Sequence, residues 1–125
     1  MEIIKGKVIH GEHLGRKQGY PTANLSDSVL EGTNIAKGVY VAEVLLKGKK
    51  YQSVLIIGVP GVNIQKEGKV EVYLLYYRGN IYGKEISITP IKKIRPLIII
   101  KDNKELISRI KQDLEVVKNY FVSAK

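Results

Sequence analysis

The chain has 125 residues, carries 21 Lys and Arg against 12 Asp and Glu, and contains no cysteine. This length fits a single domain, residues 1–125, and the missing cysteines exclude disulfide frameworks, Cys-ligated metal sites and thiol catalysis. The formal charge of +9 favours an anionic partner such as nucleic acid or a phosphorylated metabolite. No apolar run reaches the roughly 18–20 residues of a membrane span, so we expect a cytoplasmic protein.

Five β-strands are predicted from runs rich in Ile and Val. They cover residues 2–9, 38–46, 51–58, 69–77 and 84–95. A short turn around Gly48 and a second turn at Gly79-Asn80 both predict hairpins, so each should join antiparallel neighbours. Pro90 predicts an edge, a β-bulge or a break in the last strand.

The stretch from His10 to Lys37 is rich in glycine and short polar residues. A loop of this length within a compact domain is usually functional. Its two histidines, His10 and His13, are the only ones in the chain, so they do not support a His-rich metal site. We interpret them as ordinary polar loop residues, with a phosphate contact as the alternative.

One α-helix is predicted near the end of the chain. Asp102 is suited to the N-cap position because Glu105 follows it at the spacing of a capping box. Apolar residues then recur every three or four positions, at Leu106, Ile107, Ile110, Leu114, Val117 and Phe121. This stripe predicts a helix that plugs or flanks a sheet. Short antiparallel strands with one late helix predict a small closed β-barrel, because closure removes exposed edges.

Residues 6–24 contain the first candidate site. Four glycines allow backbone amides to approach an anion, and Arg16 and Lys17 lie among them. Thr22 and Asn24 are two residues apart, so in an extended segment both point to one side. Their neutral oxygens suit Mg²⁺ that takes its other ligands from water and phosphate. The alternative is that these residues serve only as turn formers.

Glu71 is the second candidate. It lies on a predicted strand, on the face it shares with Tyr73 and Tyr77, where a carboxylate could act as a general base in a cleft. The alternative is a solvated glutamate paired with Lys69 or another lysine.

Six segments together resemble the riboflavin kinase, or flavokinase, family. They are GKVIHGEHLGRKQGYPTANL at 6–25, GVY at 38–40, VEVYLL at 70–75, IYGKEI at 81–86, IRP at 94–96 and LISRIKQDLE at 106–115. The segments occur in the family's order over nearly the whole chain. The first of them is the most specific, through its Leu-Gly-Arg and Pro-Thr-Ala-Asn motifs.

The resemblance implies a six-stranded antiparallel Greek-key barrel, all-β apart from one C-terminal helix. It implies transfer of the γ-phosphoryl group of ATP to the 5′-hydroxyl of riboflavin, which gives FMN and ADP. The implied roles are Thr22 and Asn24 as ligands of Mg²⁺ and the nucleotide, Gly15, Lys17 and Tyr82 at the nucleotide, Glu71 as the base, and Arg95 near the flavin. Nothing in the chain resembles the adenylyltransferase domain to which this kinase is fused in many bacteria. The chain is therefore either a stand-alone kinase module or an excised fragment, and its start at Met1 favours the former. We also expect a monomer.

The sequence departs from the family pattern at Ile56, Gly61, Tyr73, Tyr76 and Leu97. These positions cluster where the flavin and the adenine should be held, so the choice between ATP and CTP, and flavin binding itself, stay open. Two further alternatives are a flavin-binding homologue without turnover and a basic nucleic-acid-binding barrel. The second has support from the net charge and the Lys-rich turn at 47–50, but no strand carries an exposed row of aromatic residues.

Overall fold

Six β-strands and one long α-helix are present in the computed structural model, which describes residues 2–9, 22–58, 69–98 and 102–123. The strands are β1 (Ile4–Lys7), β2 (Thr22–Leu25), β3 (Gly38–Leu46), β4 (Lys49–Gly58), β5 (Lys69–Leu74) and β6 (Glu85–Arg95). A 3₁₀ turn (Asp27–Leu30) follows β2, and the helix α1 covers Asn103–Ser123. The predictions for His10, His13, Gly15, Arg16, Lys17 and Gly61 lie outside the described residues.

The six strands form one antiparallel sheet in the order β1-β6-β3-β4-β5-β2. Just beyond β1, the amide of Ile9 donates to the carbonyl oxygen of Asn24 in β2 at 2.7 Å. This bridge joins the two edge strands, so the sheet is a nearly closed barrel. The order β6-β3-β4-β5 is that of a Greek key, in which the fourth strand returns beside the first. The predicted six-stranded Greek-key barrel is therefore confirmed, with β2 as the strand that alternation alone did not reveal.

Side chains alternate between the two faces of the barrel wall. On β5, Val70, Val72 and Leu74 are buried in the barrel interior. Tyr73 and Leu75 point the other way and pack beneath α1. The barrel thus has two cores, one inside the wall and one between the wall and the helix.

The two predicted hairpins have different outcomes. Lys47 and Gly48 connect β3 to β4 with φ of 50° and 79°, and positive φ at both positions is what a tight two-residue hairpin needs. The predicted β5–β6 hairpin is wrong, because β6 pairs with β1 and β3 instead. The chain crosses one end of the barrel after β5, where the amide of Gly83 donates to the carbonyl oxygen of Val8 at 3.0 Å.

β6 is continuous through Pro90, but it carries two register shifts against β3. Ala42 pairs with Pro90 while its neighbour Val41 pairs with Lys92, so Ile91 is an extra residue. A second extra residue lies before Arg95. This confirms the bulge among the outcomes predicted for Pro90, a residue that cannot donate to a neighbouring strand.

The helix α1 begins as predicted, since the Asp102 carboxylate accepts a hydrogen bond from the Glu105 amide at 2.8 Å. Its buried residues Leu106, Ile110, Leu114 and Val117 pack on the outer face of β3 and β4. The helix therefore flanks the barrel and does not plug it. No helix in the described ranges is both long and apolar enough to cross a membrane.

Candidate active site

Asn24 and Glu71 lie side by side on the outer face of the barrel wall. They are register partners on β2 and β5, and directly opposed residues of antiparallel strands have Cβ atoms roughly 4.5–5.5 Å apart on one face. Glu71 is half-buried and is also the register partner of Ile56 on β4. The structure therefore brings the predicted amide and the predicted carboxylate together.

The Asn24 side chain is buried without a hydrogen-bond partner in the part of the chain that the structure describes. The residue is 2% exposed, and neither atom of its side-chain amide has a hydrogen-bond partner among the described residues. An unsatisfied buried polar group costs roughly 1–3 kcal/mol, and folded proteins rarely keep one without a reason. A ligand that brings its own polar atoms would remove this cost.

The donors fit a Mg²⁺ ion that arrives with nucleotide phosphates. In the part of the chain that the structure describes, no three His, Cys, Asp or Glu side chains lie close enough to hold a metal. Mg²⁺ needs only one or two protein ligands when phosphates and waters supply the rest, and the Asn24 amide oxygen is a hard neutral donor of the required kind. The second predicted ligand, Thr22, pairs through its backbone with Tyr73, two residues before Asn24.

Tyr82 is connected to the same end of the barrel through the backbone. Its amide donates to the Asn80 side-chain oxygen at 2.9 Å, and its ring packs against the interior core. The next residue, Gly83, binds Val8, which directly precedes the Ile9–Asn24 bridge. Two backbone hydrogen bonds, Gly83 to Val8 and Ile9 to Asn24, therefore connect the turn that carries Tyr82 with Asn24.

Arg95, predicted near the flavin, holds the helix. Its guanidinium donates to both carboxylate oxygens of Asp113, through Nε to Oδ1 at 3.1 Å and Nη2 to Oδ2 at 2.8 Å. It also donates to the carbonyl oxygen of Pro96 at 3.3 Å. Since Arg95 pairs with Val39 and Val39 with Ile56, Arg95 lies three strand spacings from Glu71, roughly 14 Å along the sheet.

Three of the residues that depart from the family pattern add apolar packing near Glu71. Ile56 is 2% and Tyr73 3% exposed, and both pack in the core beneath α1. Leu97 covers Gly58 so closely that a side chain at Gly58 would collide with it. These three residues are therefore part of the apolar packing around β4 and β5.

Tyr76 also departs from the family pattern, but unlike Ile56 and Tyr73 its side chain is 79% exposed. Its φ is 63°, a left-handed conformation that is uncommon for a bulky residue. The Nζ atom of Lys118 lies 5.9 Å from the centroid of its ring. Tyr76 thus stands at the end of β5, beyond the positions that carry Glu71 and Tyr73.

Asp113 is the polar residue that the sequence analysis missed. It is 3% exposed and lies on the buried face of α1, between Ile110 and Val117. The signal was available in the sequence, because a carboxylate at that position interrupts the apolar stripe. A buried charge is rarely tolerated without a partner, so a nearby cation could have been expected.

Comparison with known proteins places the chain in a family. The family model described as "Flavokinase: Riboflavin kinase" matches residues 2–121. A bifunctional riboflavin kinase/FMN adenylyltransferase of Buchnera aphidicola subsp. Acyrthosiphon pisum is 38% identical over 127 residues, which cover 94% of this chain but 38% of that relative. The chain thus spans well under half the length of such relatives.

Two solved structures share the fold. Riboflavin kinase from Trypanosoma brucei matches with a TM-score of 0.60 and 24% identity, over 94% of this chain and 78% of that one. A structure described as a macrolide-efflux protein from Streptococcus pneumoniae matches with a TM-score of 0.77 and 33% identity, over 94% of this chain and 38% of that one. On the match of the family model over nearly its entire length, the chain belongs to the riboflavin kinase family.

Proposed function

We propose that the chain transfers the γ-phosphoryl group of ATP to the 5′-hydroxyl of riboflavin, with FMN and ADP as products. Family membership supports this reaction. The observation that carries it is the pairing of Glu71 with Asn24, a carboxylate beside a buried amide that lacks a partner among the described residues.

Phosphoryl transfer asks a protein mainly for positioning and charge neutralisation. Glu71 accepts the proton of the ribityl hydroxyl as that oxygen bonds to the γ-phosphorus. The bond from the γ-phosphorus to the bridging oxygen of ADP breaks on the opposite side. Glu71 is suited to this role because it is half-buried on a rigid strand.

Asn24 and Thr22 would hold Mg²⁺ together with the nucleotide phosphates. The ion would supply neutralisation of the phosphate charge. Gly15 and Lys17 at the phosphates, and Tyr82 near the nucleotide, stay predictions of the sequence. Arg95 also remains our choice for the flavin side, where its bonds to Asp113 and Pro96 fix the segment that follows β6.

The test is formation of FMN from riboflavin, Mg²⁺ and either ATP or CTP, followed by chromatography. We expect FMN with at least one nucleotide, and a loss of about 10²–10³-fold in kcat for Glu71→Gln, the usual effect of removing a general base. Glu43→Gln is the matched control, because Glu43 lies on β3 and makes only a surface ion pair with Lys50 at 3.8 Å. No FMN with either nucleotide, or equal activity of Glu71→Gln and the wild type, would contradict the proposal.

The salt dependence of oligonucleotide binding distinguishes the nucleic-acid-binding alternative from the kinase. The chain's +9 charge favours it, and specific binding to a single-stranded oligonucleotide should then weaken steeply as salt rises. A yellow protein that binds flavin without turnover would instead support the silent homologue. A monomeric state and a cytoplasmic location remain predictions.

A further inference from the structure

Ile9 lies beside Asn24 on the outer face of the barrel, on the far side of Asn24 from Glu71. The bridge between Ile9 and Asn24 and the register pair of Asn24 with Glu71 place the three residues in one row across neighbouring strands. Directly opposed residues of antiparallel strands share a face, so all three side chains lie on the outer face. Ile9 is two strand spacings, roughly 9.5 Å, from Glu71.

The Ile9 side chain is apolar, and the residue is 44% exposed. A single exposed apolar residue is common on protein surfaces and needs no explanation by itself. Ile9 differs because its direct neighbour, Asn24, is 2% exposed and has no hydrogen-bond partner among the described residues. An accessible apolar side chain next to such a polar group is the combination found in sites that bind small ligands.

On the other side of Glu71 the row is already covered by the protein. The next register partner there is Ile56 on β4, which is 2% exposed and packs beneath α1. In phosphoryl transfer the attacking and leaving oxygens lie roughly in line, on opposite sides of the phosphorus. With the acceptor hydroxyl at Glu71, the leaving diphosphate therefore extends past Asn24, and Ile9 is the next side chain in that direction.

We propose that Ile9 contacts the nucleoside part of the nucleotide, next to the phosphates and Mg²⁺ at Asn24. An aliphatic side chain packs against a ribose or the flat face of a base and removes apolar surface from water. Ile9 is thus a specificity-determining residue that favours a nucleoside phosphate over an inorganic polyphosphate. This inference rests on the proposed function, because the direction of the nucleotide follows from Glu71 as the base.

Calorimetric binding of Mg²⁺–ADP and of Mg²⁺–pyrophosphate, without turnover, tests the role of Ile9; CDP replaces ADP if CTP is the donor. Ile9→Ala should weaken Mg²⁺–ADP about fivefold, since part of the apolar contact is lost, and should change Mg²⁺–pyrophosphate less than about 1.5-fold. The matched control is Ile3→Ala, because Ile3 is 51% exposed and lies roughly 20 Å away along an extended strand. It should change neither affinity. Equal losses for both ligands, or no loss of Mg²⁺–ADP binding in Ile9→Ala, would overturn the inference.

Nuclear magnetic resonance with methyl-labelled isoleucine locates the nucleoside directly. With Mg²⁺–ADP bound, we expect nuclear Overhauser effects between the Ile9 methyl groups and ribose or adenine protons, and none at Ile3. A protein that forms FMN and binds Mg²⁺–ADP without such contacts at Ile9 would overturn this inference and leave the proposed function standing. A protein that binds neither Mg²⁺–ADP nor Mg²⁺–CDP would overturn both.

Discussion

Two polar side chains are almost fully buried on the outer side of the same barrel, and their surroundings differ. Asp113 is 3% exposed and accepts two hydrogen bonds from Arg95. Asn24 is 2% exposed, and its amide has no partner among the described residues. The partner of Asp113 is in place and serves the fold, whereas we expect the partner of Asn24 to be a ligand.

Removing Asp113, the buried polar residue whose partner is in place, should lower the free energy of unfolding. Asp113→Ala leaves the Arg95 guanidinium without its partner, at a side-chain exposure of 19%, and loss of one partner of a buried ion pair costs about 3–5 kcal/mol. Urea denaturation measures the change. The control is Glu115→Ala, because Glu115 pairs with Lys118 on the surface and should cost less than about 1 kcal/mol. Similar losses for both variants would show that the Asp113 pair is not structural.

Arg95→Lys tests the same Arg95–Asp113 pair and should have a smaller effect on the free energy of unfolding. Lysine keeps the charge but cannot make the bidentate contact with both Asp113 carboxylate oxygens. We expect a loss of about 1–2 kcal/mol in the free energy of unfolding, smaller than for Asp113→Ala. A variant as stable as the wild type would mean that charge alone, and not the paired geometry, holds α1 to the barrel.

Tyr40 provides the smallest test, as a third polar group that already has its partner. Its hydroxyl donates to the Ala36 carbonyl oxygen at 2.6 Å, and burial raises the pKa of Tyr40 above its ordinary value of 10.0. The folded state keeps this proton to a higher pH than the unfolded chain, so stability falls as pH rises above about 10. Tyr40→Phe should cost about 1 kcal/mol at neutral pH and make that alkaline decline shallower. An unchanged decline would remove Tyr40 from this account.

Local sequence patterns correctly predicted the elements whose conformation depends on neighbouring residues. Positive φ at Lys47 and Gly48 and the cap at Asp102 depend on neighbouring residues, so the β3–β4 hairpin and the start of α1 were predictable. The β5–β6 hairpin failed because a turn signal at Gly79 does not specify which strands pair. That pairing is set by closure of the barrel, through contacts such as Gly83 with Val8.

In the candidate site, too, the sequence predicted the residue types but not their spatial arrangement. Spacing identified Asn24 and Glu71 as residue types suited to the chemistry, but only the pairing of β2 with β5 makes them neighbours. Residues 22–25 carry too short a pattern to predict a strand, and their strand character follows from β5 beside them. The Arg95–Asp113 pair joins residues 18 positions apart on different elements, so nothing local in the sequence specified it.

The central claim is that the Asn24 amide is kept for a ligand and not for the fold. Its most direct test is the free energy of unfolding of the wild type and of Asn24→Leu, each with and without Mg²⁺ and ADP. Without ligand, Asn24→Leu should match or exceed the wild type, because an apolar side chain of similar shape removes two unsatisfied polar atoms. With Mg²⁺–ADP at about 100 times its Kd, the wild type should gain about 2.7 kcal/mol and Asn24→Leu much less. A variant that is less stable alone, and that gains as much as the wild type from Mg²⁺–ADP, would contradict the claim.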